Sequence, residues 1–190
     1  MPRTKDQYKE IRDERKNQIA QVALALFAER SYQSVTISEI AQKASISKGL
    51  LYNYFQGKDD LLKYIILDEL QHMVMEIDPN HDGVVEKHEL LNFIDHTFDM
   101  FRQNIQFWKF YMIVITQTVV FKIVQEEVNA IMKPFISLMH DYFENAGFEN
   151  PMLEVNILSS LIDGAMFHYI LNPDIFQLEH VKERIKDMYK

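Results

Sequence analysis

Apolar residues recur at helical spacing along most of this chain, and that periodicity limits its fold more than any other feature. Ile19, Val22, Ala23, Leu26 and Phe27 form one stripe. Ile37, Ile40, Ala41 and Ala44 form a second, Leu61, Leu62, Ile65 and Ile66 a third, and Leu90, Ile94, Thr97, Phe98 and Phe101 a fourth. Steps of three and four place such residues on one face of a helix. Only five Gly and five Pro punctuate 190 residues, which is too few for the many turns of an all-β chain. The reading is an all-α fold of about nine helices.

Local signals set the breaks. Thr36 with Glu39 three residues later is a capping box, which satisfies two amides at a helix start. Ser45-Ile46 reads as a turn, and Ser47 caps a third helix reaching about Tyr54. Asp59 and Asp60 favour the positive end of a helix beginning at Lys58. Asp78-Pro79-Asn80-His81-Asp82-Gly83 breaks that helix. The run from Phe107 to Val124 is apolar on nearly all sides and is expected to be deeply buried. Lys133-Pro134 predicts a kink or break, and Gly147 a stop. Asn150-Pro151 reads as a cap and first-turn Pro for a helix through Leu171. Asn172-Pro173-Asp174 then opens a last helix from Ile175 to Met188.

Charge divides the chain in two. Residues 1–58 carry a formal charge of +4 and residues 59–190 carry −12, giving −8 in all. A basic head on an acidic body is the asymmetry expected when only the head meets phosphate. The expected division is a three-helix head, 1–58, and a helical body, 59–190. The chain has no Cys, so disulfide and thiolate chemistry are excluded. No apolar run reaches about 18 residues, and the start lacks an apolar signal core. A cytoplasmic protein without a membrane partner is therefore expected.

Three short helices with a tight turn between the second and third make a helix-turn-helix, whose third helix can enter the DNA major groove. The residues sharpen this. Thr36-Ile37-Ser38-Glu39-Ile40-Ala41, then Ala44-Ser45-Ile46-Ser47-Lys48-Gly49-Leu50-Leu51-Tyr52-Asn53-Tyr54-Phe55, then Lys58-Asp59-Asp60-Leu61-Leu62 resemble the signature of the tetracycline-repressor (TetR) family of bacterial transcription regulators. The match spans about residues 12–64, with Ser45 where Gly is common and Leu50 where Ser or Thr is frequent. Beyond it the chain resembles the family in helical layout alone.

The resemblance implies a homodimer bound to a palindromic duplex operator, a repressor by default, released by a small apolar or amphipathic effector. DNA contacts are expected from Thr36, Ser47, Lys48, Gly49, Leu50, Tyr52, Asn53, Tyr54 and Lys58. Lys48 suits guanine O6/N7 and Leu50 a thymine methyl. Gly49 lets the backbone approach. The resemblance assigns phosphate contacts to Thr36, Tyr52, Tyr54 and Lys58, and hydroxyl and ammonium groups fit that task. Tyr52 also fits as a core aromatic, and Lys58 as a solvated lysine. The basic residues Arg3, Lys5, Lys9, Arg12, Arg15 and Lys16 are mixed with acids and read mostly as a solvated helix face.

In the body, Leu158, Leu161, Ile162, Ala165, Met166 and Tyr169, with Phe176, Leu178, Val181 and Ile185, would by resemblance build the dimer interface. Gly164 costs about 1 kcal/mol against Ala in a helix, which a close helix approach would explain. Phe98, Phe101, Phe107, Trp108, Phe110, Tyr111, Met112, Met139, Met166, Phe167 and His168 make either an ordinary core or an adaptable pocket. The pocket set is Phe98, Phe101, Phe107, Trp108, Tyr111, Met112, Met139, Met166 and His168, with His168 and Asp163 as polar anchors.

Residues 78–89 match the calcium loop of an EF-hand, D-x-N-x-D-G-x-V-x-x-x-E. Asp78, Asn80, Asp82, the Val84 carbonyl, Glu86 and Glu89 would be the Ca²⁺ ligands, with Gly83 at the sharp turn. A plain polar turn explains the same residues. No cofactor is required, and Ca²⁺ is the one metal suggested. No nucleophile-triad context, phosphate-binding Gly-rich loop or H-E-x-x-H occurs, so no enzymatic activity is expected.

Overall fold

The computed structural model describes residues 5–190, with side chains from Gln7 onward. Arg3 and the side chain of Lys5 lie outside that description. The described chain folds into nine α-helices: α1 Lys5–Arg30, α2 Ile37–Lys43, α3 Lys48–Tyr52, α4 Lys58–Met75, α5 Lys87–Gln103, α6 Ile105–Thr116, α7 Thr118–Asn145, α8 Pro151–Leu171 and α9 Leu178–Asp187. Among the described residues there is no strand, and no single helix is long and apolar enough to cross a membrane.

The caps form as their residues dictate. Thr36 Oγ1 accepts from the Glu39 amide at 3.2 Å, and the Glu39 carboxylate accepts the Thr36 amide at 2.8 Å. Ser47 Oγ accepts from the Leu50 amide at 3.1 Å. Asn150 Oδ1 accepts from the Leu153 amide at 3.2 Å. Gly147 sits at φ +83°, and Phe148 N–H reaches the Phe143 carbonyl at 3.1 Å. That bond closes a left-handed helix end, with the Phe143 and Phe148 rings packed across it at 5.2 Å.

Three boundaries differ from expectation. Pro134 lies inside α7 and does not break it. It is solvent-exposed, so water can take the carbonyl that its missing amide leaves free. Buried Val128, Phe135 and Met139 hold the helix on both sides. The apolar run 107–124, expected to be deeply buried, is divided between α6 and α7, with Phe107, Trp108, Phe110, Val114, Val120 and Val124 buried but Val119 78% exposed. The two helices meet at Gln117 with a bend of 104°, which lets both bury an apolar face in the same core. The last helix begins at Leu178 rather than Ile175, because residues 173–175 form a turn.

One continuous core joins head and body. Phe27 of α1, fully buried, stacks on Phe110 of α6 at 5.4 Å. Gln33 donates to Gln117 at 3.1 Å, and Lys63 of α4 pairs with Glu127 of α7 at 2.5 Å. The expected division at residue 58 coincides with the start of α4, yet α4 packs on α1 and on α7 alike.

Candidate nucleic-acid interface and ligand pocket

The turn between α2 and α3 needs a left-handed residue, and Ser45 supplies it at φ +56°. A side chain there is strained relative to Gly. Its amide bonds the Gln42 carbonyl at 3.1 Å, and the Ile46 amide bonds the Ala41 carbonyl at 3.0 Å. Buried Ile40, Ala41, Leu51 and Phe55 anchor α2 and α3. The opposite side carries exposed Thr36, Ser47, Lys48, Gly49, Leu50, Tyr52 and Asn53 on one unit. Tyr52 is 48% exposed and Leu50 37%, so Tyr52 is not a core aromatic. A Cβ on Gly49 would meet only Ser47 Oγ at 4.0 Å.

Three sequence-derived positions are engaged within the chain. Arg12 donates to the Asn53 carbonyl at 2.7 Å, and its guanidinium lies 5.2 Å from the centre of the half-buried Tyr54 ring. This ties α1 to the end of α3. Lys58 departs furthest from a phosphate contact. Its ammonium donates to the carbonyls of Tyr32 at 2.8 Å, Val35 at 2.9 Å and Gln33 at 3.3 Å, and lies 4.5 Å from the Tyr32 ring centre. All three of its donors thus close the loop between α1 and α2. An ammonium held this way positions the helix-turn-helix rather than reaching outward. The Tyr32 hydroxyl, which donates to Asp59, is pushed up from its usual pKa by burial first and then by that carboxylate. Arg30 and Thr36 hold the Glu39 carboxyl down at about 2.

In the body, a cavity of about 140 Å³ lies between α4, α5, α6, α7 and α8. Of the expected pocket residues, Phe101, Trp108, Tyr111, Met139 and Met166 line it, as does the anchor candidate Asp163. The other four do not. Phe98 and Phe107 are buried in the core, and Met112 packs against it. His168 stacks on Phe176 at 5.7 Å on the outside of α8. Phe110 is used in the stack with Phe27, and Phe167 is 44% exposed.

Lining residues that sequence reasoning missed include Leu70 and Met73 of α4, Thr97 of α5 and Ser159 of α8. Thr97 was the one available signal, as a hydroxyl in an inward stripe of Phe and Ile. Its Oγ1 is buried without a hydrogen-bond partner. Asp163 is exposed by surface area but stands against the cavity wall, and the surrounding protein pushes its carboxyl above the usual range by desolvation. Burial also moves the Tyr111 hydroxyl up to about 12, with a smaller contribution from the Asp163 charge.

The residues expected to pair two copies are mostly committed within one. Leu158, Ile162, Ala165, Met166, Leu178 and Ile185 are buried in the single chain, while Leu161, Tyr169, Phe176 and Val181 are half-buried. The exposed apolar residues of α8 are instead Met152, Leu153, Phe167 and Leu171. A Cβ on Gly164 meets nothing within 4 Å, so no close approach inside the chain explains that glycine.

The loop 78–89 is folded around its own acids. Asp78 accepts from the Asp82 and Gly83 amides at 3.2 and 3.0 Å. Asn80 accepts from Asp82 at 2.9 Å, and Asp82 from Val84 at 2.9 Å. Glu89 accepts from the Glu86 amide at 2.8 Å and the Asn80 side chain at 3.3 Å. Glu86 turns aside to His88 at 3.0 Å. Among the described residues, the one trio of His, Asp and Glu ligand atoms within 4.8 Å of each other is His140, Asp141 and Glu144, none of it fully buried.

Residues 19–65 match the family described as bacterial regulatory proteins, tetR family. The chain is similar to the HTH-type transcriptional regulator HbdR of Aromatoleum sp. (strain CIB), 38% identical over 79 residues. That stretch is 42% of this chain and 34% of HbdR, so the match spans about a third of that relative. Its fold is similar to that of the SmeT–triclosan complex, with a TM-score of 0.76, 17% identity and 93% and 90% of the two chains covered. It is also similar to FadR of Bacillus subtilis in complex with stearoyl-CoA, with a TM-score of 0.74, 17% identity and 90% and 96% covered.

Proposed function

We propose that this chain, whose residues 19–65 match the tetR family of bacterial regulatory proteins, is a cytoplasmic, homodimeric, sequence-specific DNA-binding repressor released by a small ligand. The observation that carries this reading is the exposed row Ser47, Lys48, Gly49, Leu50 and Tyr52 on a capped, core-anchored α3. Lys48 and Leu50 read base edges; Thr36, Tyr52 and Tyr54 hold phosphates. Lys58 acts behind this face by fixing the loop that precedes α2. Two copies pair through the exposed apolar residues of α8 and the open space at Gly164, so that two α3 helices match a palindrome. The helix α4 runs from the head at Lys58 to the cavity at Leu70 and Met73. A ligand favouring a wider cavity would tilt it and spoil the half-site spacing, provided that it binds the two conformations unequally.

Selection of bound duplexes from a random pool tests this. The expected result is a palindromic consensus, with Leu50→Ala changing the selected bases. A pool unchanged by selection overturns the reading.

A second reading concerns the loop 78–89. Among the described residues, the buried carboxylates are Asp78 and Glu89, the first and last ligand positions of an EF-hand loop. We propose weak Ca²⁺ binding there, with Kd in the range of about 10⁻⁵–10⁻³ M, through Asp78, Asn80, Asp82, Glu89 and the Val84 carbonyl, and Glu86 joining on leaving His88. Calorimetry should show heat with wild type and much less with Glu89→Gln, which retains the capping geometry. Equal heat from both proteins contradicts it.

A further inference from the structure

The residues that line the cavity are chemically lopsided. Of fifteen, none is Lys, Arg or His, and one, Asp163, is acidic. No basic group among the described residues pairs with Asp163, and no hydrogen bond satisfies it. The same wall carries three hydroxyls: those of Tyr111 and Ser159, and the buried, partnerless Oγ1 of Thr97. The remainder of the wall is aromatic, aliphatic and methionine.

We propose that the effector is a small lipophilic amine or related organic cation, its charged head on Asp163 and its apolar part among Phe101, Trp108 and Tyr111. This rests on the ligand-release reading above and adds the chemistry of the ligand. An ammonium supplies several N–H donors and no acceptor, which matches a carboxylate flanked by hydroxyl oxygens, one of them the unpartnered Thr97 Oγ1. Rings of Trp, Tyr and Phe attract a cation over their faces. The buried Thr97 Oγ1 without a partner carries a desolvation cost that a ligand donor recovers, and Asp163 keeps its charge at the exposed edge of the same wall. A carboxylate or phosphate ligand would meet like charge at Asp163 with no compensating cation. The −12 charge of the body further raises the local concentration of cations. Size follows from the volume: a cavity of about 150 Å³ accepts benzene, so about 140 Å³ accommodates one ring. The methionines Met73, Met132, Met139 and Met166 in the wall can shift to admit more.

Trp108 is the only tryptophan of the chain and stands in the cavity wall, so its emission reports occupancy without DNA. Phenethylamine, phenethyl alcohol and phenylacetate, titrated into the intact protein, present one ring with a cation, a neutral hydroxyl and an anion. The amine should bind about tenfold tighter than the alcohol, the size expected of a charge-assisted hydrogen bond, and the anion weakest. Asp163→Asn should remove the advantage of the amine, and Thr97→Val should reduce it less. Phenylacetate binding as tightly as phenethylamine, or an unchanged amine-to-alcohol ratio in Asp163→Asn, overturns the proposal while leaving the pocket intact. Silence of Trp108 and of calorimetry with all three probes overturns the pocket as well.

Discussion

The head and the body handle polar side chains in opposite ways. In the head, residues 1–58, the side chains assigned to function face outward, and the chain's own caps and clamps fix their backbone. Thr36 and Glu39 close one helix start, Ser47 another, and the Lys58 ammonium gathers three loop carbonyls. In the body the polar side chains that matter line the cavity: Thr97 Oγ1 is buried without a hydrogen-bond partner, and Asp163 stands at its exposed edge. A surface that must meet a highly charged polymer needs rigid, satisfied backbone and free side chains. A cavity that must take a small molecule needs unsatisfied groups with nothing of the protein's own to bond. The charges, +4 and −12, follow the same division.

The contrast breaks most sharply if the two regions are not one cooperative unit. Phe27 joins them through its stack on Phe110. Phe27→Ala should cost about 3–5 kcal/mol in denaturant unfolding, with head and body losing structure in one transition. Separate transitions, with the body unmoved, would make the regions independent.

Lys58→Ala sharpens the assignment of that residue. Loss of its carbonyl bonds should cost about 1–3 kcal/mol of stability. The salt dependence of DNA binding by the folded variant should stay unchanged. A slope lower by about one unit would return Lys58 to the phosphate contacts.

Thr36→Ala should cost about 1 kcal/mol by uncapping α2. The same cap has an acid signature. The Glu39 carboxyl is held low chiefly by Arg30 and then by Thr36. Its contribution is therefore present above the ordinary carboxylate range and is lost as pH falls from about 4.5 toward about 2. The variant should show a weaker acid dependence over that window in thermal unfolding.

The smallest effect has the opposite sign. The Asp163 carboxyl is raised by desolvation, so its charge destabilises the fold at neutral pH. That penalty disappears as the group protonates in acid. Asp163→Asn should raise the melting temperature slightly at pH 7, by an amount that shrinks toward pH 4. A lowered melting temperature at pH 7 would mean that the carboxylate has a partner after all.

The same contrast explains what could be read in advance. The head was legible because its signals are local. Thr36, Ser45, Ser47 and Asp60 each bond within four residues of their place in the chain. In the body the caps at Gly147 and Asn150 were legible for the same reason. The break at Gln117 was not, since apolar residues on both sides leave no change of pattern at a bend that only packing imposes. Of the kink or break read at Pro134, the break does not occur, because the cost of a proline depends on which side of the helix faces water. The cavity was half legible: Trp108, Tyr111 and Met139 suit either a wall or a core, and only the packing of five helices places them in one wall with Thr97 and Asp163. The true outward row of α8, Met152, Leu153, Phe167 and Leu171, was hidden because a helix that is apolar all round does not reveal which face meets its own chain.

The central claim, that α3 of this chain reads a DNA sequence in a two-fold complex, is tested most directly by one titration. The selected palindrome, and the same duplex with one half-site scrambled, are titrated with the protein at a single salt concentration. The account predicts that scrambling one half costs much of the margin of about 10³-fold or more that separates specific from non-specific binding. It also predicts that the complex on the intact site contains two chains. Equal affinity for the two duplexes would contradict it.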